Sequence, residues 1–365
     1  MHLSEINIKN FKIFDEIQLN GLGHINIFLG DNNIGKTTLL HALLFDEEPQ
    51  IALFNLFNTL VWKYNIVQDI ESVNSLRKTN YMESFLNKKD IFGSIKVTYK
   101  SKEYNTKERE IKISILKESQ LSKFDAVNLS QNTINKDNTS TDYIVKFHKT
   151  LDQANFVPMD FDLIKTPKKP TTLPYIPSNL LYSQSMIFQY AEIDKLPSYR
   201  NEFIQNLLFM IPEIVDIRIN RDESKFNQIN IYQKGLDSPI PLSLMGDGAI
   251  RTFRVLMKIQ ESKGKRLMID EIDNGLHFSR QKDFWISVLN AARSNNVQLF
   301  ITTHSAECLL NLTKAISEMK DKEFFFNETV CYSLFKNQLT TRIDSIRYDY
   351  YGFETCINQE IELRG

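Results

Sequence analysis

The chain has 365 residues, 42 % hydrophobic and 24 % charged; at ~150 residues per domain this suits about two domains, or one large domain with an insertion, and excludes a collagenous, mucin-like or mainly disordered polymer. Lys+Arg number 44 and Asp+Glu 45, a net charge of −1, so charge alone gives no ground for nucleic-acid binding, although a local basic stripe stays compatible with it. The longest apolar runs, such as residues 25–29, fall far short of the ~20 needed to span a bilayer, and the first residues lack a secretory leader's basic region and apolar core; cytoplasmic residence without membrane contact is the expectation. Cys308, Cys331 and Cys356 are too few and scattered for a disulfide framework or zinc site and are expected as buried thiols.

In chain order, residues 1–29 read as short strands, ending in the buried-strand run 25–29. Residues 36–45 have helical spacing, 50–89 read as mainly helical, and 91–116 alternate with period two, predicting a strand pair. Residues 119–142 have loop composition, and the proline-rich stretch 165–179 predicts an extended connector. Beyond it the pattern predicts strands at 180–182, 214–219, 228–232, 266–269 and 298–302, helices at 199–210, 250–259, 280–292 and 305–319, and a terminal β-hairpin over 329–346 turning near Lys336 to Gln338. The expected organisation is 1–89, the first half of a nucleotide-binding core; 90–178, an inserted α+β region; 179–320, the second half; and 321–365, a C-terminal hairpin extension.

Four elements carry chemistry. Gly30, Asp31, Asn32, Asn33, Ile34, Gly35, Lys36 and Thr37 form a complete G-x-x-x-x-G-K-T between a strand and a helix, followed by Thr38. Its glycines let backbone N–H groups converge on a phosphate chain, Lys36 supplies a point charge, and the Thr37 hydroxyl is placed to ligate Mg²⁺. Residues 266–271 form an apolar strand ending in Asp270 and Glu271, suited respectively to holding Mg²⁺ and to orienting or deprotonating an attacking water. A strand at 299–303 runs into His304, which position places beside the γ-phosphate or the water and which otherwise reads as structural. In LSLMGDG (242–248), Ser243, Gly246 and Gly248 offer hydroxyl and N–H groups to a phosphate; the segment reads equally as a capping turn with Ser243 or Asp247 as cap.

GDNNIGKTTLLHAL, PLSLMGDGAIRTFRVL, RLMIDEIDNGLHFSRQKDFW and LFITTHSAECL, in this order, resemble the ABC-type ATPases that include SMC, RecF and OLD proteins, and most closely the bacterial AAA-family ATPases related to OLD. The opening LSEINIKNFKIF is similar to that class as well. The resemblance covers 1–45 and about 180–320 and implies a P-loop NTPase of α/β class: an N-terminal β-subdomain, a parallel sheet flanked by helices, ATP and Mg²⁺ as cofactors, and a site split between two protomers. It implies that residues 30–38, Asp270, Glu271 and His304 act in cis, that Ser243, Gly246 and Gly248 act in trans, and that 273–277 is a D-loop-like seam. The segment LSLMGDG departs from the transporter form LSGGQ, and Gln184 and Gln189 both remain open for the Q-loop. The acidic cluster of an OLD nuclease domain and the heptads of SMC arms are not expected here.

The leading expectation is a slow ATPase, a homodimer or higher oligomer around ATP, gating a separate nuclease or toxin effector in anti-phage defence, with no nuclease activity of its own. Alternatives are a DNA-repair ATPase clamping DNA through Lys146, Lys149, Lys165, Lys168 and Lys169, and an ATP-dependent assembly scaffold.

Overall fold

A computed structural model describes residues 2–46, 48, 51, 52, 55, 94–101, 108–117, 143–149, 155–158, 174–179, 185–220 and 228–359. The expectations for 50–89, 119–142, the strand at 180–182, Gln184, and Lys165, Lys168 and Lys169 fall wholly or largely outside these residues.

The central sheet takes its strands in the order β15-β14-β3-β13-β12-β8. Five are parallel: β14 (Thr329–Lys336), β3 (Ile25–Gly30), β13 (Gln298–Thr302), β12 (Arg266–Ile269) and β8 (Tyr175–Ile176); β15 (Ile343–Asp349) closes one edge antiparallel. Both faces are covered, so the strands read as near-continuous apolar runs. Alternation sends Ile25, Ile27, Leu267, Ile269, Leu299 and Ile301 to one core and Phe28, Met268 and Phe300 to the other. The first core is capped by helices α2 (Ser185–Asp194), α3 (Pro197–Leu207), α4 (Asp247–Glu261), α5 (Phe278–Ser294) and α6 (Ala306–Glu318), with Trp285 buried and its indole N–H donated to the Cys308 carbonyl at 3.0 Å. A small sheet, β9 (Ile214–Asn220), β10 (Gln228–Gln233) and β11 (Ile240–Pro241), lies beside it and adds Ile217, Ile229 and Ile231 to that core.

The second core lies between the central sheet and a six-stranded antiparallel sheet, β2-β1-β4-β5-β6-β7, with α1 (Lys36–Ala42) supplying Leu39 and Leu40. β1 (Leu3–Phe11) pairs with β2 (Phe14–Asn20) and with β4 (Ser94–Ser101), which continues into β5 (Arg109–Lys117), β6 (Tyr143–Lys149) and β7 (Asn155–Pro158). The period-two reading of 91–116 thus finds its strands, and this part of the expected insertion is hydrogen-bonded into the sheet of the N-terminal half. The buried amide of Gln298 locks the sheets together: it donates to the carbonyls of Leu3 and Gly23 and accepts from the Leu3 N–H at 2.7 Å.

Two expectations of position change. The proline-rich connector contributes β8, which joins the central sheet beside β12 because the Met268 and Asp270 N–H groups reach the carbonyls of Pro174 and Ile176 at 2.9 Å. The C-terminal hairpin turns over residues 337–342, and its first strand lies against β3 inside the sheet. Two short helices, α7 (Lys322–Glu328) and α8 (Tyr350–Asn358), flank it.

Candidate functional site

The phosphate loop leaves β3 at Gly30, where φ is +133° and a Cβ would sit 2.4 Å from the Leu334 carbonyl of β14; no other residue fits. Gly35 closes the loop at φ +103°, where a Cβ would sit 2.9 Å from Ile13 and 3.0 Å from Phe14. Asp31, Asn32 and Asn33 are exposed along the rim, with Ile34 and Thr38 half-buried. The Lys36 ammonium is buried and donates to the Gly30 and Asp31 carbonyls at 2.8 and 2.7 Å, so the loop wraps its own cation.

β13 lies between β3 and β12, which brings the ends of all three strands together. The carboxylate of Asp270 is their meeting point. It accepts from the Thr37 hydroxyl at 3.0 and 3.2 Å, from the Thr302 hydroxyl at 2.6 Å and from the Tyr175 hydroxyl at 3.4 Å. Burial, reinforced by the Asp270 charge, pushes the Tyr175 phenol well above its ordinary range, so it stays a proton donor. Glu271 is half-buried and holds a left-handed backbone, φ +46°, unusual for a residue with a side chain. Its N–H is fixed by the Thr302 hydroxyl at 2.8 Å. His304, half-buried, follows β13 by two residues, between the phosphate loop and the carboxylates in sheet order.

Thr37 and Asp270 offer converged hard-oxygen donors, which suits Mg²⁺. Among the described residues no three His, Cys, Asp or Glu side chains gather, so phosphate and water would complete such an ion's ligands.

Among the described residues, no hydrogen bond joins the expected trans element to the side chains of Lys36, Thr37, Asp270 or Thr302. Ser243, in a 3-10 turn over Leu242–Leu244, is exposed, as are Leu244 and Gly246. Neither Ser243 nor Asp247 caps α4: the cap is Gly246, without a side-chain bond, which removes the capping role for both. A Cβ on Gly248 would meet Leu276 at 3.3 Å and the Gly275 carbonyl at 3.6 Å, so this segment packs on residues 273–277 of its own chain. Asp273 accepts from the Thr303 hydroxyl at 2.6 Å, tying that stretch to the end of β13. Of the two Q-loop candidates, Gln189 is half-buried on α2.

Sequence reading missed Arg251 of α4. The residue is 1 % exposed, and its guanidinium donates to the carbonyls of Pro177, Asp270 and Glu271 at 3.0, 2.9 and 3.1 Å. Burial lowers its pKa to about 10 against the pull of Asp270, Asp273 and Glu271, leaving it charged at neutral pH. Nothing local in the sequence marks it, because its acceptors are backbone atoms on other elements.

The parallel sheet, the phosphate loop and the adjacent carboxylates of Asp270 and Glu271 together define a P-loop ATPase. The profile of the AAA ATPase domain family matches residues 1–309, and the chain belongs to that family. It is 25 % identical over 336 residues to the "ATP/GTP phosphatase" of Helicobacter pylori, covering 87 % of this chain and 89 % of that one. A shorter match, 36 % identical over 81 residues, joins 22 % of this chain to 14 % of Endonuclease GajA of Bacillus cereus. Among solved structures, the SMC head domain from Thermotoga maritima superposes with a TM-score of 0.49 at 12 % identity, over 96 % of this chain and 100 % of that one.

Proposed function

We propose that this ATPase binds ATP–Mg²⁺ between two copies of the chain, hydrolyses it slowly, and in doing so gates a separately encoded effector. One observation carries the reading. Lys36, Thr37, Asp270 and Thr302 converge on one side of the fold, while Ser243 and Gly246 are exposed and bonded to none of them.

In this mechanism the phosphate loop and Lys36 seat the β- and γ-phosphates. Thr37 and Asp270 would hold Mg²⁺, which when bound neutralises charge on the phosphate oxygens. Glu271 orients the attacking water and accepts its proton, and His304 donates to the γ-phosphate. Ser243, with the backbone N–H groups of Gly246 and Gly248, reaches the γ-phosphate from the second copy. An isolated copy lacks those donors to the developing charge and turns over slowly.

The Glu271→Gln protein tests this. Its turnover is expected to fall about 10²- to 10⁴-fold, the usual worth of a general base, while ATP stays bound. Mass photometry should show monomer becoming dimer or larger on adding ATP and Mg²⁺, and a mass fixed at the monomer defeats the shared-site reading. The effector part draws support from the sequence match to a protein named as an endonuclease, and its defence setting from the resemblance to stand-alone OLD-like ATPases. Phage plating on hosts carrying the native locus, with and without Glu271→Gln, tests both: protection kept with the trapped protein would favour an assembly scaffold.

A further inference from the structure

The carboxylate of Asp270 is the end of a hydrogen-bonded chain that crosses the second core. Tyr175 of β8 reaches it at 3.4 Å. The Tyr175 hydroxyl lies 3.3 Å from Nε2 of His41, in the last turn of α1, and His41 Nδ1 lies 3.1 Å from the ammonium of Lys12, in the β1–β2 turn. Tyr175 and His41 are 3 % and 5 % exposed, and their rings meet edge to face, centroids 5.3 Å apart.

The two ends fix the direction of every bond between them. An ammonium only donates and an ionised carboxylate only accepts. Lys12 therefore donates to Nδ1 of His41, which places the ring proton on Nε2. Nε2–H donates to the Tyr175 oxygen, leaving the phenolic hydrogen for Asp270. One proton arrangement satisfies all four groups. Tyr175 holds Oδ2 and Thr302 holds Oδ1, so both oxygens of the carboxylate are pinned while Thr37 faces the pair.

We propose that Tyr175 and His41, anchored by Lys12, are positioning residues for the metal-holding carboxylate of Asp270. The chain fixes the carboxylate's orientation before the ion arrives, as outer partners of metal ligands do elsewhere, where their loss costs about 10- to 100-fold in metal affinity. The inference rests on the reading that Thr37 and Asp270 hold Mg²⁺.

The test uses Mn²⁺ as the probe, with the full chain saturated by ADP and free Mn²⁺ read by electron paramagnetic resonance. Tyr175→Phe removes one oxygen and should weaken Mn²⁺ about tenfold, while affinity for ADP in EDTA stays near that of the unaltered protein. His41→Leu should act in the same direction. His41→Gln should restore tight binding, since its amide oxygen accepts from Lys12 and its N–H donates to Tyr175. A merely structural role would not separate Mn²⁺ from ADP affinity, nor Gln from Leu at position 41. Unchanged Mn²⁺ binding in Tyr175→Phe overturns the proposal. If Tyr175→Phe does not fold, equal binding by the Gln and Leu variants of His41 overturns it. Failure of the unaltered ADP complex to bind Mn²⁺ defeats the underlying metal-site reading, and this inference with it.

Discussion

A guanidinium as deeply buried as that of Arg251 is stable only because three carbonyls meet it, and two of them belong to Asp270 and Glu271. Replacing it by Met leaves those carbonyls without their donor; a loss of about 1–3 kcal/mol is expected in urea unfolding. The left-handed turn at Glu271 is also released, so kcat should fall at least about tenfold, ~1.4 kcal/mol, with KM little changed. Arg251→Lys should recover part of both. At the cysteines, burial raises the thiols of Cys308 and Cys331 above the ordinary 9.0. A raised folded-state pKa gives stability that is fully present below the unfolded value of about 9 and is lost as pH rises from there towards the folded one, because the unfolded thiols ionise first. Native protein at pH 8 should therefore take up iodoacetamide at the half-buried Cys356 and be spared at the other two, with the melting temperature dropping above about pH 9.

At the scale of elements, the C-terminal hairpin was legible in its alternation but not in its place. Residues Val330, Tyr332 and Leu334 of β14 enter the second core while Cys331 enters the first, and the Leu334 carbonyl closes over Gly30. Truncation after residue 320 should expose the unpaired edge of β3 beside the phosphate loop. We expect insoluble protein, or soluble protein without ATP binding, by sedimentation and nucleotide titration. The short helices were missed for local reasons. Residues 322–328 (KEFFFNE) hold three phenylalanines, poor helix formers, and 350–358 contain Gly352. One signal for the latter was available: Asp349 caps the helix, accepting from the Gly352 N–H at 2.8 Å.

For the whole molecule, both cores rest on the same strands, since neighbouring residues of β3, β12, β13 and β14 point to opposite faces. Neither core can open without the other losing a wall. One cooperative transition is expected in the melt, with circular dichroism and tryptophan fluorescence coinciding, and ATP–Mg²⁺ raising its midpoint by mass action. Much of the candidate site is legible in the chain itself. The loop glycines, Lys36 and Thr37 are a contiguous signature, because a phosphate-binding turn needs fixed backbone conformations at fixed spacing. Asp270, Glu271 and His304 each follow a short apolar strand, which marks them as sheet-edge residues. Tertiary structure alone decided which strand lies between which. That order sets Thr302 on Asp270, sends Tyr175 and His41 beneath it and turns Arg251 onto the carbonyls of Asp270 and Glu271; these partners are joined across 19 to 134 residues of chain by side chains whose neighbours in sequence say nothing of where they meet.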